Sequence, residues 1–290
     1  MRDRCTLIVN PLSGGFSPGK AGKAQSDLEQ LGMACSVLET MTPAEASHRA
    51  AAICREETDP LIVIGAGDGT INGVVNGLAP GAATVAVLPF GTSNVLSREL
   101  EIFTPEEGID RIAAGRTKPV SVGLIEKDAV KRYFLLMAGI GFDGAVVKGV
   151  GPREKRLLGK GAYVLSALRR LLAGETGSLR VECEAGHLDC HSVIVCNASK
   201  YAGNYSLAPS ASLFEPGFQV VCLEQGNRAC LLRSFFALLS GKGMNGRNTR
   251  TFHAGELEIR GDKPLQADGD FYFHAPVHVR AVPDFMRVVV

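Results

Sequence analysis

Tryptophan is absent from this sequence, and aromatic residues make up only 6% of it. Stacking platforms for nucleic-acid bases are therefore not expected. An excess of charge of one sign is missing too. Lys and Arg number 31 against 30 Asp and Glu, for a formal net charge of +1, so bulk charge makes no case for nucleic acid. No apolar run approaches the roughly 20 residues that a membrane-spanning helix needs. The start, Met1-Arg2-Asp3-Arg4-Cys5, is too short and polar to read as a signal peptide. Eight cysteines occur without a C-x-x-C pair. They read as free thiols in a reducing cytoplasm, and none is singled out as a nucleophile.

What is present is an ordinary globular composition, 46% hydrophobic and 21% charged, over 290 residues. That length suits two domains better than one. The most informative stretch is Gly65-Ala66-Gly67-Asp68-Gly69-Thr70-Ile71-Asn72. The β-branched run Leu61–Ile64 before it predicts a buried strand, and apolar residues at 71, 74, 75 and 78 after it keep helical spacing. Thr70 is the expected helix cap. Strand, glycine turn and helix in that order present unpaired N–H groups to a phosphate. Asp68 inside the turn would repel phosphates unless a cation lay between, so it reads as bearing on Mg²⁺ or its water shell. A carboxylate there has little expected structural use.

Two other phosphate loops are rejected. In the dinucleotide pattern the third glycine would fall at Thr70, and no acid follows for the ribose in the run Val85–Leu88. Gly14 to Lys20 matches the first seven places of a P-loop, but Ala21 stands where a hydroxyl should hold Mg²⁺ and Pro18 lacks an N–H.

Strands at 6–9, 35–39, 61–64 and 84–88 alternate with helices at 21–31, 43–57, 93–100 and 105–114. This predicts a doubly wound α/β domain over residues 1–117 with a parallel sheet. Ligands in such sheets bind beyond the carboxyl ends of the strands. Asn10, Thr40, Gly67-Asp68-Gly69 and Gly91-Thr92 all fall there and could converge on a nucleotide. From about residue 118 short apolar runs at 120–125, 133–138, 179–183, 192–197, 218–224 and 277–282 predict a β-rich, antiparallel sandwich-like domain to residue 283. Helices are expected at 157–173 and 228–240. The tail 284–290 is expected back against the first domain, and the active site in the cleft between the two.

The motifs together resemble a family. GAGDGTINGVVNGL (Gly65–Leu78), NPLSG (Asn10–Gly14), LPFGTSN (Leu88–Asn94), GIGFD (Gly139–Asp143), LGKGAY (Leu158–Tyr163) and ADGD (Ala267–Asp270) resemble, in order and over nearly the whole chain, the diacylglycerol kinase catalytic-domain family, which includes bacterial lipid kinases and the sphingosine and ceramide kinases. The resemblance implies ATP with Mg²⁺ at Asn10, Pro11, Ser13, Thr40, Gly65, Ala66, Gly67, Asp68, Gly69, Thr70, Asn72, Gly91, Thr92 and Asn94. Thr40 is the loosest placement, with Thr42 its alternative. The family's D-G-E aspartate falls on Asp268, which this reading makes the general base. Asp270 and Lys160 support it. The competing reading of Asp268-Gly269 is a hairpin turn in which the aspartate only tolerates the geometry.

Three departures stand out. Ala66 replaces a loop glycine. Gly73 replaces a glutamate and lowers helix propensity by up to ~1 kcal/mol. Residues 214–219 keep Glu215 but have Gln219 where relatives carry an aspartate, so a structural metal site there is expected to be weak or absent.

The resulting expectation is an ATP-dependent lipid kinase, with diacylglycerol the leading acceptor. The enzyme would be cytoplasmic and meet a membrane surface peripherally, through a basic rim at Lys148–Lys160 and an edge of the 228–240 helix. It would bind no nucleic acid, and a homodimer is left open. Kinases of a soluble metabolite such as NAD, and a nucleotide- or lipid-binding regulator without catalysis, are the competing readings.

Overall fold

The structure, a computed structural model, describes residues 2–290 apart from 152, 153, 155–159, 174–176, 202, 204, 240–245 and 247, and apart from the side chains of residues 160, 173, 235, 236, 238 and 239. The chain opens with β1 (Arg4–Val9), α1 (Pro18–Gln30), β2 (Ala34–Glu39), α2 (Pro43–Glu56), β3 (Leu61–Ala66), α3 (Asp68–Gly77) and β4 (Thr84–Pro89). The short helix α4 (Val95–Glu99) and α5 (Pro105–Ala114) follow. The four strands run parallel in the order β2-β1-β3-β4. Alternation along β1 makes the layers. Cys5, Leu7 and Val9 pack with Ala24, Leu28 and Ile112 of α1 and α5, whereas Ile8 packs with Ala50, Val74 and Val75 of α2 and α3. Helices therefore cover both faces, and β3 is buried at every residue.

The second half carries β5 (Thr117–Lys127), β6 (Val130–Phe134), β7 (Met137–Ile140), α6 (Phe142–Lys148), α7 (Lys160–Ala173), β8 (Leu179–Cys183), β9 (Gly186–Cys190), β10 (Ser192–Cys196), β11 (Lys200–Tyr201), β12 (Tyr205–Ser206) and β13 (Phe218–Leu223). It ends with α8 (Arg228–Leu239), β14 (Thr249–Ala254), β15 (Glu256–Arg260), β16 (Pro264–Ala267), β17 (Asp270–His274) and β18 (Val277–Val289). An antiparallel sheet, β14-β13-β10-β7-β16-β17, packs its apolar face on the extended part of the first sheet. Phe134 and Phe218 stack across that core at 5.6 Å. The fold is thus an α/β domain followed by a β-rich sandwich-like one.

The long strand β18 joins the halves. Near its end Arg287 and Val288 run parallel to Thr84 and Val85 of β4. Its earlier part pairs antiparallel with β15, and β5 pairs along its length. One sheet therefore passes through both domains.

Two local differences from the sequence reading have plain causes. Helix α1 begins at Pro18 rather than 21, because Ser17 caps it by accepting from Lys20 N and Pro18 needs no N–H at the first position. The loop that imitates a P-loop is that cap. The expected strand 133–138 breaks into β6 and β7 because the amides of Leu135, Leu136 and Met137 turn toward a carboxylate described below.

Candidate active site

Strand β3 delivers its chain to Gly67, and α3 starts at Asp68 with Gly67 as its N-cap and no side chain capping it. Thr70 is not the cap. It lies inside the first turn, where its Oγ1 accepts from Asn10 Nδ2 at 3.1 Å. Ala66 lies within β3 and outside the positive-φ region, so the loss of a glycine there costs no strain. Thr70 N and Ile71 N both donate to Gly67 O, at 3.0 and 3.2 Å, and the N-terminal end of α3, with its positive dipole end, is suited to an anion.

Asp68 does have a structural use, contrary to expectation. Its two oxygens accept from Val95 N and Leu96 N, both at 3.1 Å, at the start of α4. One carboxylate thus sits at the N-terminal ends of two helices, where their dipoles favour a negative charge.

Three strand-end loops close on one another here. Gly91 N donates to Asn94 Oδ1 at 2.8 Å, and Asn94 Nδ2 returns a bond to Gly91 O at 2.9 Å. Asn94 holds a left-handed conformation, with φ of 46°, to make that ring. A Cβ on Gly91 would stand 2.5 Å from the Gly67 Cα, so only glycine lets these two turns meet. From β1, Asn10 Oδ1 accepts from Leu12 N and shapes the turn holding Pro11 and Ser13, and Gly15 N donates to Phe90 O at 2.9 Å. A Cβ on Gly14 would reach within 2.4 Å of Thr92 Oγ1. Asn10, Thr70, Asp68, Gly67, Gly91 and Asn94 therefore form one contiguous group.

The second-strand candidates fall outside it. Thr40 is fully buried, and its N–H and hydroxyl both donate to Val9 O. Thr42 caps α2 by accepting from Glu45 N. Both hydroxyls are thus engaged by local backbone groups, Thr40 at the end of β2 and Thr42 at the start of α2.

The other wall comes from the hairpin of β16 and β17. Asp268 and Gly269 are its two-residue turn, with φ of 49° and 88°. Positive φ at both positions is the hairpin geometry that D-G sequences favour. Yet the aspartate does more than tolerate it. Oδ2 accepts from Asn72 Nδ2 and Leu135 N, each at 2.7 Å. Oδ1 accepts from Leu136 N at 2.9 Å and Met137 N at 3.0 Å. Burial, the larger influence, pushes this carboxyl's pKa up, and the four donors pull against it. Basicity is no obstacle to proton acceptance; access is, because a carboxylate offers about four lone-pair sites and all are taken.

Asn72 is the joint between the walls. It lies one turn beyond Asp68 on α3, so the two side chains share a helix face. Asn76, the next turn on, donates to Tyr133 O at 2.9 Å and accepts from Tyr133 N at 2.9 Å. Tyr272 OH lies 3.5 Å from Asn72 Oδ1. Asp270 opens β17 opposite Ala267, directly after the turn and partly exposed, two residues before Tyr272. The Tyr272 hydroxyl is pushed up to about 12 by burial and then by the charges of Asp270 and Asp268.

Gly73, which replaces the family's glutamate, has a packing reason. A Cβ there would lie 2.4 Å from Pro43 O, and one on Gly77 would lie 2.1 Å from Ser47 O. Two glycines four apart let α3 lie directly on α2, and no larger side chain fits at either place.

The sequence reading omitted a buried group behind the hairpin. Asp143, the acid of GIGFD, accepts from Tyr201 OH and Gln266 Nε2, each at 2.6 Å, and desolvation raises its pKa. Gln266 Oε1 in turn accepts from Gly269 N at 2.8 Å. An acid inside an otherwise apolar motif was the available signal.

Other candidates lie apart. Glu215 is exposed, while Gln219 is buried with Oε1 accepting from Ser210 N at 2.8 Å. The Lys160 side chain, and Arg153, Lys155 and Arg156 of the basic rim, lie outside the described residues. So do the side chains of Phe235, Phe236, Leu238 and Leu239. Lys148 Nζ contacts His274 Nε2 at 2.9 Å and stands over the Phe271 ring. Among the described residues no group of three His, Cys, Asp or Glu side chains could hold a metal ion, and no helix is long and apolar enough to cross a membrane.

Comparison with known proteins agrees along the chain. Residues 4–125 match the family profile described as "Diacylglycerol kinase catalytic domain". Residues 137–290 match the one described as "YegS C-terminal NAD kinase beta sandwich-like domain". A diacylglycerol kinase of Bacillus subtilis (strain 168) is 30% identical over 282 residues, covering 92% of this chain and 90% of that protein. One from Staphylococcus aureus (strain JH9) is 28% identical over 281 residues, covering 93% and 87%. A crystal structure of a "putative diacylglycerol kinase" from Bacillus anthracis str. Sterne superposes with a TM-score of 0.82 at 23% identity, covering 99% of this chain and 96% of that one.

Proposed function

The chain belongs to the diacylglycerol kinase catalytic-domain family, and from that premise we propose that it transfers the γ-phosphoryl group of ATP to the hydroxyl of a lipid, diacylglycerol being the acceptor. The observation that carries the reading is the joint at Asn72. It ties the anion-suited start of α3, which carries Asp68, to the opposite wall, a hairpin bearing Asp268 and Asp270.

The nucleotide phosphates would lie against the first-turn amides of α3 and the Gly91-Thr92 turn, with Asn10, Pro11, Ser13 and Asn94 shaping the rim. Gly65 and Ala66, in the last turn of strand before the loop, set its height. Residues 118–283 would hold the acceptor.

The residues fit Mg²⁺ borne by the nucleotide better than a metal held by protein alone. Mg²⁺ keeps several waters and takes one or two carboxylates with substrate phosphates, and Asp68 is one such carboxylate. When bound, Mg²⁺ supplies charge neutralisation at the phosphates. The chain's own work lies elsewhere: α3 amides orient the phosphates and the β16–β17 hairpin presents a proton acceptor. With Asp268 fully engaged, Asp270 takes that role. The acceptor oxygen bonds to the γ-phosphorus, the bond to the ADP oxygen breaks, and the hydroxyl proton passes to the Asp270 carboxylate.

The regulator reading drew on the altered loop and on Gly73; Ala66 lies in β3 without strain, and packing against α2 accounts for Gly73. Incubation with γ-labelled ATP, Mg²⁺ and either diacylglycerol in mixed micelles or NAD tests the acceptor. Label is expected in the lipid. Label in NAD alone would replace the acceptor, and label in neither would remove the kinase reading.

Asp68→Asn is expected to lower turnover roughly tenfold, as loss of a group ordering a metal's surroundings does. It also weakens the α4 cap by about 1 kcal/mol, which lowers Tm by about 2–4 °C. Steady-state kinetics and thermal melting check both. Wild-type turnover would leave Asp68 with the cap alone.

A further inference from the structure

Asp143 is a buried acid that the proposed reaction does not use. It lies near the start of α6, 7% exposed, and among the described residues no cation pairs with it. Burying a carboxylate costs free energy unless donors meet it. Two do: Tyr201 OH on Oδ1 and Gln266 Nε2 on Oδ2, each at 2.6 Å. Gly139, the cross-strand neighbour of Gln266, makes the space, since a Cβ there would stand 1.9 Å from Asp143 Oδ2. Gly144 brings α6 down onto β16, since a Cβ there would stand 2.0 Å from Pro264 O.

The direction of these bonds is settled from the far end. Gly269 N can only donate, so its 2.8 Å contact places Gln266 Oε1 on that side. The Gln266 NH₂ then faces position 143 and requires an acceptor there. Aspartate supplies it and keeps its second oxygen for Tyr201. Tyr201 is anchored in turn to the first domain. Just before it, Ser199 N, Ser199 Oγ and Lys200 N donate to the Glu99 carboxylate of α4 at 3.1, 2.9 and 3.0 Å. Asp68 caps the start of that same helix. The hairpin is therefore tied to the nucleotide side twice. One tie is direct, through Asn72; the other runs behind it through Gln266, Asp143, Tyr201 and Glu99. Gly269 lies between Asp268 and Asp270, so a shift of its amide moves both carboxylates. We propose that Asp143 is a positioning residue for phosphoryl transfer, fixing through Gln266 the turn that presents Asp270. The proposal rests on the lipid-kinase reading.

The test exchanges donor and acceptor in the full chain. Gln266→Glu alone sets a carboxylate oxygen against Asp143 Oδ2. Adding Asp143→Asn turns that bond round: the new amide donates to the new carboxylate, which still accepts from Gly269 N, and the Tyr201 hydroxyl keeps its acceptor. Kinetics with ATP and diacylglycerol in mixed micelles are measured beside thermal melting. Gln266→Glu is expected to lower kcat roughly ten- to a hundredfold with KM for ATP held, as misplacement from a distance does. Asp143→Asn/Gln266→Glu is expected to return kcat to within a few-fold of wild type. A double variant that regains the melting temperature but not kcat would overturn the proposal. So would near wild-type kcat in Gln266→Glu. Should Gln266→Glu not fold, the double variant is compared with Asp143→Asn, which keeps the Gln266 bond but leaves the Tyr201 proton without its acceptor. A higher kcat in the double variant supports the proposal; an equal or lower one overturns it. If the wild type labels neither lipid nor NAD, the kinase reading fails and hydrogen exchange over residues 266–270 decides the positioning. Exchange that quickens in Gln266→Glu and slows again in the double variant supports it, and unchanged exchange overturns it.

Discussion

Asp270→Asn is expected to melt like the wild type, to bind ATP with unchanged affinity, and to turn over slower by roughly 10² or more, the usual cost of losing a general base. The argument is one of access. An alcohol is a poor nucleophile near neutral pH and needs a carboxylate that it can reach as the bond to phosphorus forms. The hairpin offers two. Asp268 is held by three backbone amides and Asn72. Asp270 is partly exposed at the start of β17, next to the turn and so within reach of an acceptor in the cleft. Asparagine matches aspartate in size, so a packing defect is not expected at a half-exposed strand position. Calorimetry with ATP, thermal melting and single-turnover kinetics separate the three quantities. Turnover within a few-fold of wild type would exclude Asp270 as the proton acceptor.

Much of this site is legible in one dimension because its parts occupy strand ends. Leu61–Ile64 followed by glycines and an amphipathic run fixes a strand, a turn and a helix, and parallel strands then bring the Asn10, Gly67 and Gly91 turns to one edge. The boundary errors have a common source. Thr70 looks like a cap because threonine usually is one, yet glycine at 67 allows the helix to start three residues earlier, and the hydroxyl meets Asn10 instead. Thr40 lies past a strand end like the others, but its hydroxyl turns back to Val9 O, a choice of rotamer that no spacing reveals.

What stayed hidden depends on partners far away in the chain. Gly73 reads as a weakened helix until Pro43 is seen against it. Asp268 reads as a turn residue or a base, because its amide partners lie more than 130 residues earlier. Those amides are also what split β6 from β7, so the same contact broke the expected strand at 133–138. The orientation of α7 was hidden for the opposite reason: its apolar spacing is that of a buried helix, yet Ala162, Ser166 and Leu171 are buried while Val164, Leu168 and Leu172 are exposed.

Asp268→Asn should behave unlike its neighbour and fail first in stability. Aspartate offers both oxygens to four donors. Asparagine keeps one oxygen and replaces the other by an NH₂, a donor. Placed at Oδ1, the NH₂ faces Leu136 N and Met137 N. Placed at Oδ2, it faces Leu135 N and Asn72 Nδ2. Asn72 cannot simply turn over, since its Oδ1 already accepts from Asn76 Nδ2 at 3.1 Å. Either way two buried donors lose their acceptor, at about 1–3 kcal/mol each, for a total of about 2–5 kcal/mol. In a chain of this size that lowers Tm by about 5–15 °C. Because Asn72 and the 135–137 turn join the two domains through this carboxylate, turnover should fall as well, with ATP affinity weakened alongside. Asp268→Ser, which removes the misplaced donor pair and leaves room for water, should recover part of the stability. The measurement is thermal melting of both variants beside ATP titration. An Asp268→Asn protein that melts like wild type and binds ATP normally but has lost turnover a hundredfold would restore Asp268 as the general base, and would require one of its four hydrogen bonds to open during the reaction.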